Sequence, residues 1–239
     1  MTQLTENLAR VEEQIVQACR RAGRGRGEVE LMAVSKTYPA ETIVEAATLG
    51  LTLVGENRVQ EFAAKAEGLG PWRKSTKCHL IGHLQSNKAL RAVELFDAID
   101  SLDLQRLAER LNDAAGKLGK RLPVLLEVKL SPEETKEGLD PTSREAAELL
   151  EHLPDLHHLD VRGLMTIAPW GVSDNVTRAC FRSLREWRDR WAIRYPKVSL
   201  DVLSMGMSGD FSLAIEEGAT RIRIGTALFG KRAPYTGPA

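Results

Sequence analysis

Leu31-Met32-Ala33-Val34-Ser35-Lys36-Thr37 is an apolar run that stops at a serine and hands over to a lysine, with Pro39 close behind. It reads as a buried strand whose carboxyl edge presents an ammonium. Outward from it, short apolar runs alternate with longer amphipathic ones along the whole chain. The strand candidates are residues 31–35, 52–54, 78–81, 98–99, 123–128, 161–165, 199–203 and 221–224. Helical periodicity covers 40–49, 58–67, 87–95, 104–117, 143–152, 175–194 and 211–217. Strict strand–helix alternation implies a parallel sheet, and eight repeats in 239 residues imply a closed (β/α)8 TIM barrel, a single α/β domain over 1–230. After the eighth strand, Phe229-Gly-Lys-Arg-Ala-Pro leaves too little chain for a full last helix. An extra N-terminal helix, roughly 4–21, is expected to cover that gap, and the tail 231–239 is expected to be mobile.

Composition narrows the function classes. Hydrophobic residues make up 43%, enough for one sizeable core, while 33 basic and 33 acidic side chains cancel. That balance argues against a nucleic-acid face or an anionic-membrane patch. The one basic cluster, Arg20 to Arg26, reads as a solvated connection. Cys19, Cys78 and Cys180 are odd in number and widely spaced, so neither a disulfide framework nor a metal-ligand spacing is present. No apolar stretch reaches the roughly 18 residues of a membrane span. The N-terminus is polar from the start, and a cytoplasmic location is expected.

In a barrel of this kind chemistry sits at the carboxyl ends of the strands. Residues that packing does not explain fall there repeatedly. They are Lys36, Glu56-Asn57, Gly82 to Lys88, Ser101 and Asp103, Lys129, Met165-Thr166, Ser204 to Asp210, and Gly225-Thr226. Lys36 is either a solvated lysine flanking a strand or a desolvated nucleophile prepared for a Schiff base. Ser204-Met205-Gly206-Met207-Ser208 and Gly225-Thr226, after strands seven and eight, suit a phosphate; tight turns with capping side chains are the plainer alternative. In Arg221-Ile-Arg223-Ile, strand alternation sends both arginines inward, toward an internal carboxylate or toward a ligand. His79 and His83 lack a third ligand at zinc spacing.

With these residues in view the chain resembles the pyridoxal-phosphate homeostasis proteins (the YggS/PROSC family), relatives of the alanine racemase barrel. The matching segments run in order along nearly the whole chain: Ala33 to Thr37, Gly55 to Glu61, His79 to Lys88, Ser101 to Asp103, Gly163 to Thr166, Leu203 to Ser208 and Arg223 to Gly230. Tyr38, Arg58 and Cys78 stand where the family pattern leads one to expect Lys, Tyr and Trp, and Asp100 stands in place of a His.

The resemblance implies a barrel of the alanine-racemase type that carries pyridoxal 5'-phosphate (PLP) as an aldimine on Lys36. It implies a phosphate held by Ser204, Met205, Gly206 and Ser208 together with Gly225 and Thr226. It places Arg223 at the pyridine nitrogen, with Asn57, His79, His83 and Met165 lining the pocket. An arginine there disfavours protonation of the ring and weakens it as an electron sink. No tyrosine supplies an evident second base, since Tyr38 adjoins Lys36 and Tyr235 lies in the tail. The family's role therefore implies a non-catalytic carrier that buffers PLP or delivers it to apo-enzymes, and a free barrel implies a monomer. An amino-acid racemase is the alternative, and a cofactor-free Schiff-base aldolase a third.

Overall fold

The computed structural model describes residues 2–131 and 137–230, so the tail 231–239 and its expected mobility lie outside the described residues. Eight parallel strands close into a barrel in sequence order. They are β1 (Glu30–Val34), β2 (Leu53–Glu56), β3 (Lys77–Leu80), β4 (Ala98–Leu102), β5 (Leu122–Glu127), β6 (Leu159–Met165), β7 (Val202–Ser204) and β8 (Arg221–Ile224). The helices are α1 (Gln3–Arg21), α2 (Ala40–Thr48), α3 (Val59–Ala66), α4 (Ala89–Leu95), α5 (Gln105–Lys117), α6 (Arg144–His152), α7 (Asp174–Arg194), α8 (Phe211–Glu216) and α9 (Thr226–Phe229). The expected (β/α)8 barrel is the fold observed. Pairing of Glu30 to Ala33 with Arg221 to Ile224 joins first strand to last and removes both sheet edges.

The core lies between barrel and helices. Ile43, Phe62, Val93, Leu111, Leu149 and Phe181 face inward from successive helices onto Val54, Leu80, Ile99, Val124 and Leu164. Burying a side chain of that size stabilises by about 1.5–3 kcal/mol each, which makes this layer the main source of stability.

Among the described residues after β8 the chain makes only the single turn α9, and the extra N-terminal helix does cover the gap. α1 packs against α8 and α9, and the Asn7 side-chain amide donates to the Leu228 carbonyl at 2.6 Å. The basic cluster needs correction, because it is not merely a solvated connection. Arg24 donates to the carbonyls of Ile215 (2.9 Å) and Ala219 (2.8 Å), and Arg26 pairs with Glu12 at 2.7 Å. Arg24 thus adds a donor to the Ile215 carbonyl at the end of α8, which also accepts from the Gly218 amide, and to the Ala219 carbonyl in the connection to β8. These arginines therefore clasp the α1–β1 connection to α1 on one side and to the α8–β8 connection on the other.

Candidate functional site

The carboxyl ends of the strands surround a cavity of about 550 Å3. Val34 and Lys36 reach it from β1, Asn57 from β2, and Ile81, Gly82 and His83 from β3. Glu127, Val128, Lys129, Leu130 and Ser131 come from β5 and its extension, with Glu137 beyond. Ile167 and Trp170 follow β6, Met207 to Asp210 follow β7, and Arg223, Gly225 and Thr226 come from β8. The cavity thus brings together Lys36, Asn57, His83, Ser208, Arg223, Gly225 and Thr226.

His79, Met165, Ser204, Met205 and Gly206 do not reach the cavity wall. His79 lies inside the barrel, its Nδ1 3.0 Å from an Asp100 oxygen, while Met165 and Met205 are fully buried. Arg221 reaches the other Asp100 oxygen at 3.2 Å and Glu30 at 2.8 Å. Burial works against the Asp100 carboxylate, yet His79 and then Arg221 hold its pKa below the ordinary range. The aspartate that departs from the family pattern is therefore paired within the barrel.

Arg223 is buried but meets neutral oxygens. It donates to the Ser204 carbonyl at 2.7 Å, to the Ser204 hydroxyl at 2.9 Å and to the Thr166 carbonyl at 2.8 Å. Ser204 orients that guanidinium, and the guanidinium still lines the cavity. Gly206 shapes the loop after β7. Its φ of +92° lies in the left-handed region, and a Cβ there would stand 2.5 Å from Ala214 Cβ. Its carbonyl accepts from the Arg223 amide at 2.9 Å, and the Ser208 hydroxyl accepts from the Ala227 amide at 3.2 Å. Gly206→Ala is expected to destabilise by about 2–4 kcal/mol through strain and overpacking. Denaturant unfolding checks this, and a midpoint equal to the parent's would show that the loop yields freely.

Three acidic residues lie on the wall, Glu127, Glu137 and Asp210, and none is among the residues the resemblance assigns to the cofactor. Glu127 is buried, and burial first, then the Asp103 charge, push its carboxyl up to about 8, with Arg223 opposing. Burial likewise raises Asp210, whose carboxylate accepts from the Met207 amide. A site of ionised carboxylates would repel an anion. Glu127 and Asp210 hold protons more readily than ordinary carboxyls, and they stand among Lys36, Lys129 and Arg223. A primary amine, a guanidinium and two small hydroxyls (Ser208 and Thr226) in one cavity form a donor set that fits an aldehyde bearing a phosphate.

The alanine racemase N-terminal domain model matches residues 7–233. The pyridoxal phosphate homeostasis protein of Aquifex aeolicus is 46% identical over 227 residues, covering 95% of this chain and 97% of that one. The chain belongs to the pyridoxal phosphate homeostasis protein family. Its Escherichia coli member is 40% identical over 238 residues, covering 97% of this chain and 98% of that one. The structure of PipY from Synechococcus elongatus with PLP bound superposes with a TM-score of 0.84 at 43% identity, covering 95% of this chain and all of that one. Alanine racemase from Streptomyces coelicolor shares the fold at 19% identity and a TM-score of 0.70, matching 93% of this chain and 58% of that one.

Proposed function

We propose that this protein binds PLP, holds its aldehyde as an imine on Lys36, and serves to buffer the cofactor or deliver it to apo-enzymes. The observation that carries this reading is the meeting of Lys36 with Ser208, Gly225 and Thr226 in one cavity. It is supported by full-length similarity to a protein solved with PLP bound. When bound, the cofactor supplies an electrophilic aldehyde.

The chain's own residues do the rest. Lys36 offers the amine, and Ser208, Thr226 and the backbone around Gly225 take the phosphate. Asn57 and His83 border the ring. Arg223, oriented by Ser204 and Thr166, would face the pyridine nitrogen and disfavour its protonation. His79, Met165, Ser204, Met205 and Gly206 take part from behind, by shaping this wall. The protein works as a monomer in the cytoplasm, where its three buried free thiols are at home. No helix among the described residues is long and apolar enough to cross a membrane.

One observation favours the racemase as a second reading. Glu127 lines the cavity from β5, which stands across the closed barrel from β1 and Lys36. One preparation tests both readings. Protein incubated with PLP and reduced with borohydride is expected to carry the cofactor mass on the Lys36 peptide alone, and an unmodified Lys36 peptide would sink the assignment. Incubated with L-amino acids, it is expected to form no D-isomer on chiral separation. Turnover that survives repurification would transfer the assignment to the racemase.

A further inference from the structure

The turn that presents Lys36 is backbone-strained. Thr37 has a φ of +70°, the one positive value at a non-glycine residue among the described residues. A β-branched residue avoids that region, and it stays there only when its surroundings over-determine it. Its hydroxyl is buried without a hydrogen-bond partner, so the threonine side chain does not hold the turn.

A buried ion cluster does. The Glu61 carboxylate accepts from the Thr37 amide. Lys65 donates to Glu61 at 2.6 Å, to both oxygens of Glu56 at 2.9 and 3.1 Å, and to the Ser35 carbonyl at 3.1 Å. Ser35 in turn donates through its hydroxyl to Glu56 at 2.5 Å. The side chains of Lys65, Glu56 and Glu61 are only 10%, 0% and 9% exposed. The three ammonium hydrogens of Lys65 thus meet the residue before Lys36 and the two carboxylates that grip the residues on either side of it. Burying three charges is costly, so an arrangement this closed calls for a role beyond stability.

We propose that Glu61, held by Lys65, which Glu56 anchors in turn, is a positioning residue that forces the Thr37 backbone into its left-handed conformation and so aims Lys36 into the cavity. Without the Glu61 carboxylate, Thr37 relaxes to negative φ and the Cα–Cβ direction of Lys36 turns with it. The proposal rests on Lys36 being the PLP-bearing lysine, and its experiment separates the two.

The rate of imine formation with PLP is followed by absorbance in the parent, Glu61→Ala, Glu61→Gln and the double variant Glu61→Ala/Thr37→Gly. The φ of Thr37 is read from backbone chemical shifts of the cofactor-free protein. Glu61→Ala is expected to capture the aldehyde about 10- to 100-fold more slowly, the cost of a misplaced reacting group, with Thr37 at negative φ. Glycine adopts positive φ without strain, so adding Thr37→Gly is expected to restore most of the rate. A loss that reflected stability alone would show no such rescue. If Glu61→Ala does not fold, Glu61→Gln, which keeps an acceptor oxygen but no charge, is expected to give an intermediate rate at unchanged fold. Capture at the parental rate in these variants, or Thr37 unchanged in φ, overturns the positioning role and leaves the PLP reading intact. A parent that fails to capture PLP overturns that reading and this one with it.

Discussion

Lys36→Ala is expected to abolish covalent capture of PLP while leaving the barrel folded. The lysine lies two residues beyond the end of β1 rather than packing in the core, so its loss opens no cavity between strands and helices. Ser208, Gly225, Thr226 and Arg223 remain, and the cofactor is expected to bind reversibly at a ~100-fold weaker Kd, a difference of about 2.7 kcal/mol. Two measurements check this. Borohydride reduction followed by denaturation is expected to leave no cofactor on the variant chain, and equilibrium dialysis is expected to show the weakened binding. Retention of a lysine-linked cofactor would mean that Lys129 or another amine is the true acceptor.

Glu127→Gln is expected to stabilise the cofactor-free protein, and to do so only above about pH 4.5. The Glu127 carboxyl is raised from the ordinary 4.5 to about 8 by burial and by Asp103. Between those values the folded chain keeps a proton that the unfolded chain has lost, so stability falls as pH rises from about 4.5 to 8 and is level beyond. The full penalty is on the order of 5 kcal/mol by linkage, and a glutamine that still buries its amide is expected to recover about 2–3 of them. Denaturant unfolding of parent and variant is expected to coincide near pH 4.5 and to diverge steadily up to pH 8. Parallel profiles would show that Glu127 titrates normally and that the cavity is wetter than its burial implies.

Much of the fold was legible because a barrel repeats one local pattern. The strand over 221–224 matches β8, and its alternation alone sends Arg221 and Arg223 inward, as observed. Glu127 was not legible. Pro123-Val-Leu-Leu-Glu127-Val belongs to a strand buried on both faces, where a continuous apolar run carries no phase to say where one polar residue points. Glu61 and Lys65 look like an ordinary helical i,i+4 surface pair, worth a few tenths of a kcal/mol. Packing of α3 beside β1 and β2 buries them and turns them on the Lys36 turn. His79 illustrates the opposite error. It stands within a motif rich in polar residues, yet the partner that holds it, Asp100, lies 21 residues away on the next strand.

By itself the sequence determined the eight-fold alternation, the inward face of β8, and the placing of Lys36 and the loops after β7 and β8 at one end of the barrel. Those properties follow from periods of 2 and 3.6 residues, which neighbours along the chain impose on one another. Tertiary structure alone decided which of those residues share a wall, which carboxyls are dry enough to hold a proton, and why the Lys36 turn keeps a strained conformation. Desolvation and ion pairing depend on groups brought together from distant strands and helices, and no local pattern encodes those distances.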